Sequence, residues 1–404
     1  MRRGQPERQS MAIPRTRPDR LPALLSYGFR PFFLLGALYA GATLLVWLPL
    51  LRGALETASL FPPVDWHSHE MLFGYLAAVL TGFLLTAIPN WTGRLPVQGY
   101  PLLGLVLIWI AGRVAIFHST SLGWLMTAAI DCAFLLAVTA AAVIEIVAGR
   151  NWRNLKVAIP VGVFAAANML FHLEAHFAGS ADIARRLGIG TAIVLIALIG
   201  GRIIPSFTRN WLARENPGRL PVPVGRFDMA TILATAIGLV AWTFAQDAMA
   251  TAVLLIVAAG LNAIRLARWA GDRTLRDPLV LILHLAYAFV PAGLLLVACG
   301  ILDPERIAPA VGVHALGVGA IGTMTLAVMV RATLGHTGRP LRAGPTGCFV
   351  FAAILAAAIA RIVAALGFAG PWLMEIAGGL WAVAFLGFAL FYGAALLRPR
   401  LGRG

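Results

Sequence analysis

The sequence predicts an all-α polytopic membrane protein of about twelve transmembrane helices, and three observations carry that prediction. The 404 residues are 60% hydrophobic and only 12% charged, with a mean hydropathy of +0.84. A soluble chain is about half apolar and about a quarter charged. Apolar runs of roughly 20 residues, the length that crosses the hydrocarbon core of a bilayer, recur along the whole chain. Between them, arginines gather in alternate loops, the bias that sets orientation in a membrane. No soluble core of this length hides so much apolar surface, whereas lipid solvates the outward faces of a helix bundle. A sizeable soluble domain is thereby excluded.

The first six runs fall at residues 29–51, 69–89, 99–117, 122–148, 156–178 and 187–207. The second six fall at 228–246, 249–270, 278–301, 309–333, 346–367 and 372–396. Turn residues separate them, among them Pro62-Pro63, Pro96, Asn216-Pro217-Gly218, Asp277-Pro278, Asp303-Pro304 and Gly370-Pro371. The joins near 118–122 and 247–249 are the tightest. Three segments follow: an arginine-rich cytoplasmic tail over 1–28, a twelve-helix domain over 29–396 and a short cytoplasmic tail over 397–404. The first of these has no adjacent short apolar core with a cleavage site, so it does not read as a signal peptide.

The formal charge of +15 does not indicate a nucleic-acid ligand, because the basic residues sit in short loops and termini and not in a separate domain. Lys156 is the only lysine. Arginines mark the amino-terminal tail, Arg94, Arg150 and Arg153, Arg209 to Arg226, Arg265 to Arg276, Arg339 and Arg342, and the carboxy-terminal Arg398, Arg400 and Arg403. The intervening loops carry Glu56, Asp65, Glu70, Asp182, Asp247, Asp303 and Glu305 with few arginines. One missed helix would invert every later loop, so the alternation supports an even helix number with both termini cytoplasmic.

Cys132, Cys299 and Cys348 lie far apart in apolar runs, with no CxxC or CxxCH among them. That excludes a zinc ribbon and a covalently attached c-type haem. A weak repeat links the second and tenth helices. Gly74 follows His69 and Gly319 follows His314 by five residues, and Thr92-Gly93-Arg94 and Thr337-Gly338-Arg339 follow at equal offsets. The sixth helix shares part of it, with Arg185, Gly190 and Thr208. A four-helix unit used three times is the architecture this repeat implies.

Six of the eight histidines, His67, His69, His118, His172, His176 and His314, fall at the non-cytoplasmic ends of helices; His284 and His336 fall toward the cytoplasm. Ionisable groups inside a membrane are costly and tend to mark function. His172 and His176 are four apart on one helix face that Asn168 extends, a spacing suited to one metal ion, with Glu174 as a neighbouring acid. Interfacial histidines bonded to water are the alternative. Trp66-His67-Ser68-His69-Glu70-Met71 opens the second helix, where helical spacing puts His67 and Glu70 on one face and His69 elsewhere. Asp131, Glu145, Arg202 and Arg361 also lie in or near apolar runs, and for Asp131 an internal ion pair or hydrogen bond is the favoured role. His69 and His314, at matching repeat positions on different helices, are placed as the axial ligands of a non-covalent haem. Met71, Met169, Met324 and Met329 offer thioethers, although methionine is an ordinary core filler.

Several stretches resemble the NnrS family: Ser26-Tyr27-Gly28-Phe29-Arg30-Pro31-Phe32-Phe33, the Trp66 to Gly74 segment, Gly82 to Gly93, Gly201 to Asn210, and His314 to Gly319. The resemblance spans nearly the whole chain. It implies a bacterial inner-membrane protein that binds haem b and copper and supports resistance to nitric oxide, often alongside denitrification. On that reading His69 and His314 hold haem, His172 and His176 a second metal or haem, and His67 and Glu70 support one of the sites. A more distant likeness is to subunit I of haem–copper oxidases and nitric oxide reductases, with twelve helices in three groups of four. Here the sixth and seventh helices lack copper-ligating histidines, so any copper site must differ. Electrons for a redox reaction would come from a quinol or a partner protein, since the chain carries no soluble cytochrome domain. The competing functions are a small-solute transporter or channel, and a haem-based sensor or electron-transfer module without turnover.

Overall fold

A computed structural model describes residues 22–368 and 370–402, so most of the arginine-rich tail and Arg403 lie outside the described residues. Among the described residues the protein is helical with no strand, and twelve helices are long and apolar enough to cross a membrane. They are α1 (Phe29–Leu51), α2 (Pro63–Thr92), α3 (Tyr100–Phe117), α4 (Trp124–Ala148), α5 (Leu155–Phe177) and α6 (Asp182–Glu215). The second half comprises α7 (Arg226–Phe244), α8 (Met249–Ala267), α9 (Pro278–Leu302), α10 (Pro309–His336), α11 (Gly344–Ala365) and α12 (Trp372–Leu397). Each apolar run of the sequence coincides over most of its length with one of them. The protein is therefore a multi-pass membrane protein whose outer surface is matched to a lipid bilayer.

Helices α2 and α6 outrun their apolar segments at both ends. Their first turns carry Asp65, His67 and His69 in α2 and Asp182, Arg185 and Arg186 in α6, which end the hydropathy without ending the helix. The tight join after α3 is a further helical turn, Ser119–Leu122, before Gly123 turns the chain into α4. At the opposite end of the sequence, Arg30 of α1 donates to the carbonyls of Leu396 (2.8 Å) and Arg398 (2.6 Å), which closes the end of α12 onto α1.

Three helices form the interior. The buried share of the apolar stretch is 83% in α2 and 67% in both α6 and α10, against 56% or less in every other helix. Each contains a stretch wound in the wider π-helical form: Glu70–Leu76 in α2, Ile196–Gly200 in α6 and Ala315–Gly322 in α10. Such a stretch frees a backbone carbonyl, which lipid cannot satisfy and protein must. Side chains supply the donors. The Trp109 indole reaches the Gly74 carbonyl (3.0 Å), Arg265 reaches that of Ala197 (2.8 Å) and the Thr325 hydroxyl reaches those of Ile321 (2.8 Å) and Gly322 (2.9 Å). In α2 and α10 the π stretch begins one residue after the repeat histidine, and Gly93 and Gly338 both take positive φ just beyond the helix. In α6 the stretch lies eleven residues beyond Arg185, so the local correspondence holds for two helices and not for the third.

Candidate functional site

Two constellations lie on opposite sides of the first turns of α2. The first is a cavity of about 370 Å³ between α2 and α10, bounded also by α1, α6, α11 and α12. Its walls are mostly apolar, with Leu44, Leu72, Val313, Val318, Ile321 and Trp381 among them, and Met71 and Met374 add thioethers. Its polar groups are few: His67, Ser68 and the Tyr75 hydroxyl from α2, His314 from α10, Arg185 from α6 and Arg361 from α11. The Nδ1 of His314 lies 2.7 Å from the Ala310 carbonyl, which can only accept, so Nδ1 carries the proton and Nε2 keeps its lone pair. His67 stacks on Trp47 (ring centroids 4.2 Å apart), and its Nδ1 is buried without a hydrogen-bond partner. Arg185 also bonds Asp65 (3.3 Å) and Asp182, whereas among the described residues no carboxylate pairs with Arg361.

An apolar slot with two imidazoles from facing helices and two guanidiniums suits a flat apolar ring with carboxylate arms. That is the chemistry of a haem, with the imidazole nitrogens as iron ligands and the arginines as partners for the propionates. The size agrees with sites for small ligands and cofactors, about 300–1,000 Å³. The fit rests on an orphaned buried nitrogen, a fixed tautomer and an unpaired guanidinium, so the residues present match the group.

The second constellation is a buried polar cluster where α2, α3, α4 and α5 meet. Arg113 of α3 is its centre. One terminal nitrogen donates to both oxygens of Glu70 (2.7 Å each), and the other donates to Asp131 Oδ1. Tyr39 donates its hydroxyl to Glu70 as well. His69 places Nδ1 2.8 Å from Glu70 Oε1 and Nε2 3.1 Å from Asn168 Oδ1 and 3.2 Å from Asp131 Oδ2. His172 Nε2 stands 3.0 Å from the same Asp131 oxygen, to which Asn168 donates at 2.8 Å. His69, Asp131 and His172 bring one ligating atom each within 4.8 Å of one another.

The structure thus separates the expected haem pair. His69 does not line the cavity that holds His314; its neighbour two residues earlier, His67, does. His67 and Glu70, which helical spacing puts on one face, point into different sites: the long Glu70 side chain turns toward Arg113 and Tyr39. His172 and His176 also part company. His172 belongs to the cluster, while His176 stacks on Trp124 (4.2 Å, 12° between planes), and both face a small cavity of about 140 Å³. Glu174 accepts from the backbone N–H of Ile183 (3.1 Å) and Ala184 (2.6 Å), so it caps the start of α6 and touches neither site. Arg202 lines a cavity of about 460 Å³ with Arg331 and Asn90, at the other end of α2, α6 and α10. Asp131 makes the internal ion pair expected of it. Its partner Arg113 went unread in the sequence, where the signal was present: an arginine with no nearby acid inside an eighteen-residue apolar helix.

No match was found among curated proteins. The family profile described as NnrS protein matches residues 23–400, nearly the whole chain, and on that evidence the protein belongs to the NnrS family.

Proposed function

We propose that this protein is a haem- and copper-binding membrane protein of the nitric oxide response, which protects the cell by binding nitric oxide or converting it at a metal centre. The observation that carries the proposal is the cavity in which His67 and His314 stand on facing interior helices with Arg185 and Arg361 at its margin. His67 and His314 would hold a non-covalent haem b. The bound group would supply a redox-active iron, and uptake of a diatomic ligand there would require one of the two imidazoles to give way. The Ala310 carbonyl keeps the His314 proton on Nδ1 and aims Nε2 at the cavity. Trp47 stacks against His67 and fixes its ring plane. Arg361 and Arg185 would neutralise its carboxylate arms, and the apolar wall would limit water at the centre. A quinol or a partner protein donates electrons, and the site lies toward the periplasmic face of the inner membrane.

Absorption spectra of the purified protein test this reading. Wild type is expected to show a Soret band that shifts with nitric oxide. His67→Ala and His314→Ala should each lose most of the haem or change its ligation, whereas His69→Ala should keep the haem spectrum. A wild-type protein without a Soret band, or both cavity variants with an unchanged spectrum, would overturn it.

A second reading, passage of a small solute, draws on a separate observation. Three cavities follow one another along α2, α6 and α10, the middle one about 90 Å³ and almost wholly apolar. The middle and lower cavities share Phe83, Ile199, Ile203 and Val328. The hydrogen-bonded hydroxyls of Tyr75 and Thr325 stand between the upper and the middle one. Solute flux through metal-free protein in liposomes would favour this reading over the first.

A further inference from the structure

The charge of the buried cluster is not balanced by the residues that form it. Glu70 and Asp131 face a single guanidinium, Arg113, and the exposure of the three side chains is 0%, 0% and 7%. With neutral imidazoles, one negative charge is left over in a low-dielectric interior, where an uncompensated charge is strongly disfavoured.

The hydrogen-bond roles locate the missing positive charge. Glu70 only accepts, so the His69 proton sits on Nδ1 and the Nε2 lone pair points away from it. That lone pair meets two more acceptors, Asn168 Oδ1 at 3.1 Å and Asp131 Oδ2 at 3.2 Å. The Asn168 amide cannot be turned to relieve this, because its nitrogen donates to Asp131 at 2.8 Å. His172 Nε2 approaches the same Asp131 oxygen at 3.0 Å. Between the His69 Nε2 lone pair and the Asn168 and Asp131 oxygens there is no donor, and a cation there relieves the conflict: a second proton on His69, or a metal ion.

The geometry favours the metal. Ligands about 2.0–2.2 Å from one ion stand about 3 Å from one another; each imidazole nitrogen is at about that distance from the shared Asp131 oxygen, 3.2 and 3.0 Å, and all three atoms lie within 4.8 Å of one another. An imidazole whose outer N–H is held by a carboxylate, as Glu70 holds His69, is the usual outer support of a metal-bound histidine. His172 also lines the cavity of about 140 Å³ with Ser119, Thr127 and His176, a recess against the cluster large enough to admit an ion.

We infer that His69, His172 and Asp131 form a three-ligand site for a divalent first-row transition metal ion. Two imidazoles and a carboxylate without thiolate are borderline donors that suit such ions, and copper(II), highest in their affinity order, is the probe that reads the site. The site follows from charge, donor geometry and access, independently of the proposed function.

The test is copper binding by the full-length protein in detergent, stripped with a chelator, loaded with copper(II) and desalted. Elemental analysis is expected to find one copper per chain, and electron paramagnetic resonance to show coupling to imidazole nitrogen. His172→Ala and His69→Ala should each lower retained copper at least tenfold, while His176→Ala leaves it unchanged. No retained copper in the wild type, copper retained equally by His172→Ala, or a copper signal without nitrogen coupling would overturn the inference. If the alanine variants fail to fold, the milder His172→Gln makes the same comparison, and copper retained there at the wild-type level would overturn the inference. Copper bound here in a protein that takes no haem would sink the haem reading alone. Haem in the His67–His314 cavity with no copper would sink this inference and the copper part of the proposed function, and leave the haem reading standing.

Discussion

At the scale of single residues, Arg113 is the position on which the cluster depends. Among the described residues its guanidinium is the only arginine or lysine group paired with Glu70 and Asp131, and both carboxylates are fully buried. Removing one partner of a buried ion pair leaves a charge without compensation, which costs about 3–5 kcal/mol. Arg113→Met should therefore lower thermal stability in detergent severely, and Arg113→Lys should recover part of the loss by restoring charge without the two-pronged geometry. Arg52→Met is the matched control. Arg52 pairs with Glu375 where both side chains are about half exposed, so its removal should cost less than about 1 kcal/mol. A melting temperature for Arg113→Met close to that of the control would show that the cluster does not hold the helices together. The same cluster explains why His67 and His69 trade places relative to the sequence reading. Their presence near one helix start was legible, but which of the two faces α10 depends on Asp131, Asn168 and Arg113, from three other helices, and no local spacing encodes that.

At the scale of elements, the twelve helices were legible because a bilayer demands about 20 apolar residues at a time and the sequence supplies them in separated runs. The π stretches were not legible, since a wider turn leaves no mark in hydropathy; it shows only once the donor for the freed carbonyl is found. In α2 that donor is Trp109, and the turn also fits its surroundings through Gly74. A Cβ at Gly74 would come within 2.8 Å of Arg113, 2.9 Å of Tyr39 and 3.0 Å of Glu70. Gly74→Ala should thus disturb the ion cluster from within the helix. Trp109→Phe should leave the Gly74 carbonyl without its donor, at a cost of about 1–3 kcal/mol. By contrast, a Cβ at Gly104 of α3 meets nothing within 4 Å, so Gly104→Ala should be tolerated. Thermal unfolding of the three variants, followed by the absorbance of any bound haem and by aggregation, checks the order. Equal stability of Gly74→Ala and Gly104→Ala would mean that the π stretch tolerates a side chain and does not support the cluster.

At the scale of the whole molecule, twelve crossings would put the start of α1 and the end of α12 on one side of the membrane, and the loops carry our proposal for which side. Arg94, Arg150, Arg219, Arg268, Arg273, Arg276, Arg339, Arg342, Arg398 and Arg400 all fall in connections that share a side with the amino-terminal tail. The connections of the other side hold only Arg52 and Arg306 outside the helices. Short arginine-rich loops tend to be retained in the cytoplasm during insertion, and on that rule we propose that this side is the cytoplasmic one. The first turns of α2, α6 and α10 and the end of α5, with the His67–His314 cavity and the Arg113 cluster, would then lie toward the opposite face. Reporter fusions test the prediction directly. A cytoplasm-active reporter such as a fluorescent protein should work after Arg400 and in the loop after Asn216, and a periplasm-active phosphatase should work after Ala178 and after Glu305. A phosphatase active after Arg400 would invert the molecule and move both sites to the cytoplasmic face. The two sites would then receive their metals from the cytoplasm, so the fusion result also fixes which metal-delivery route the cell must use.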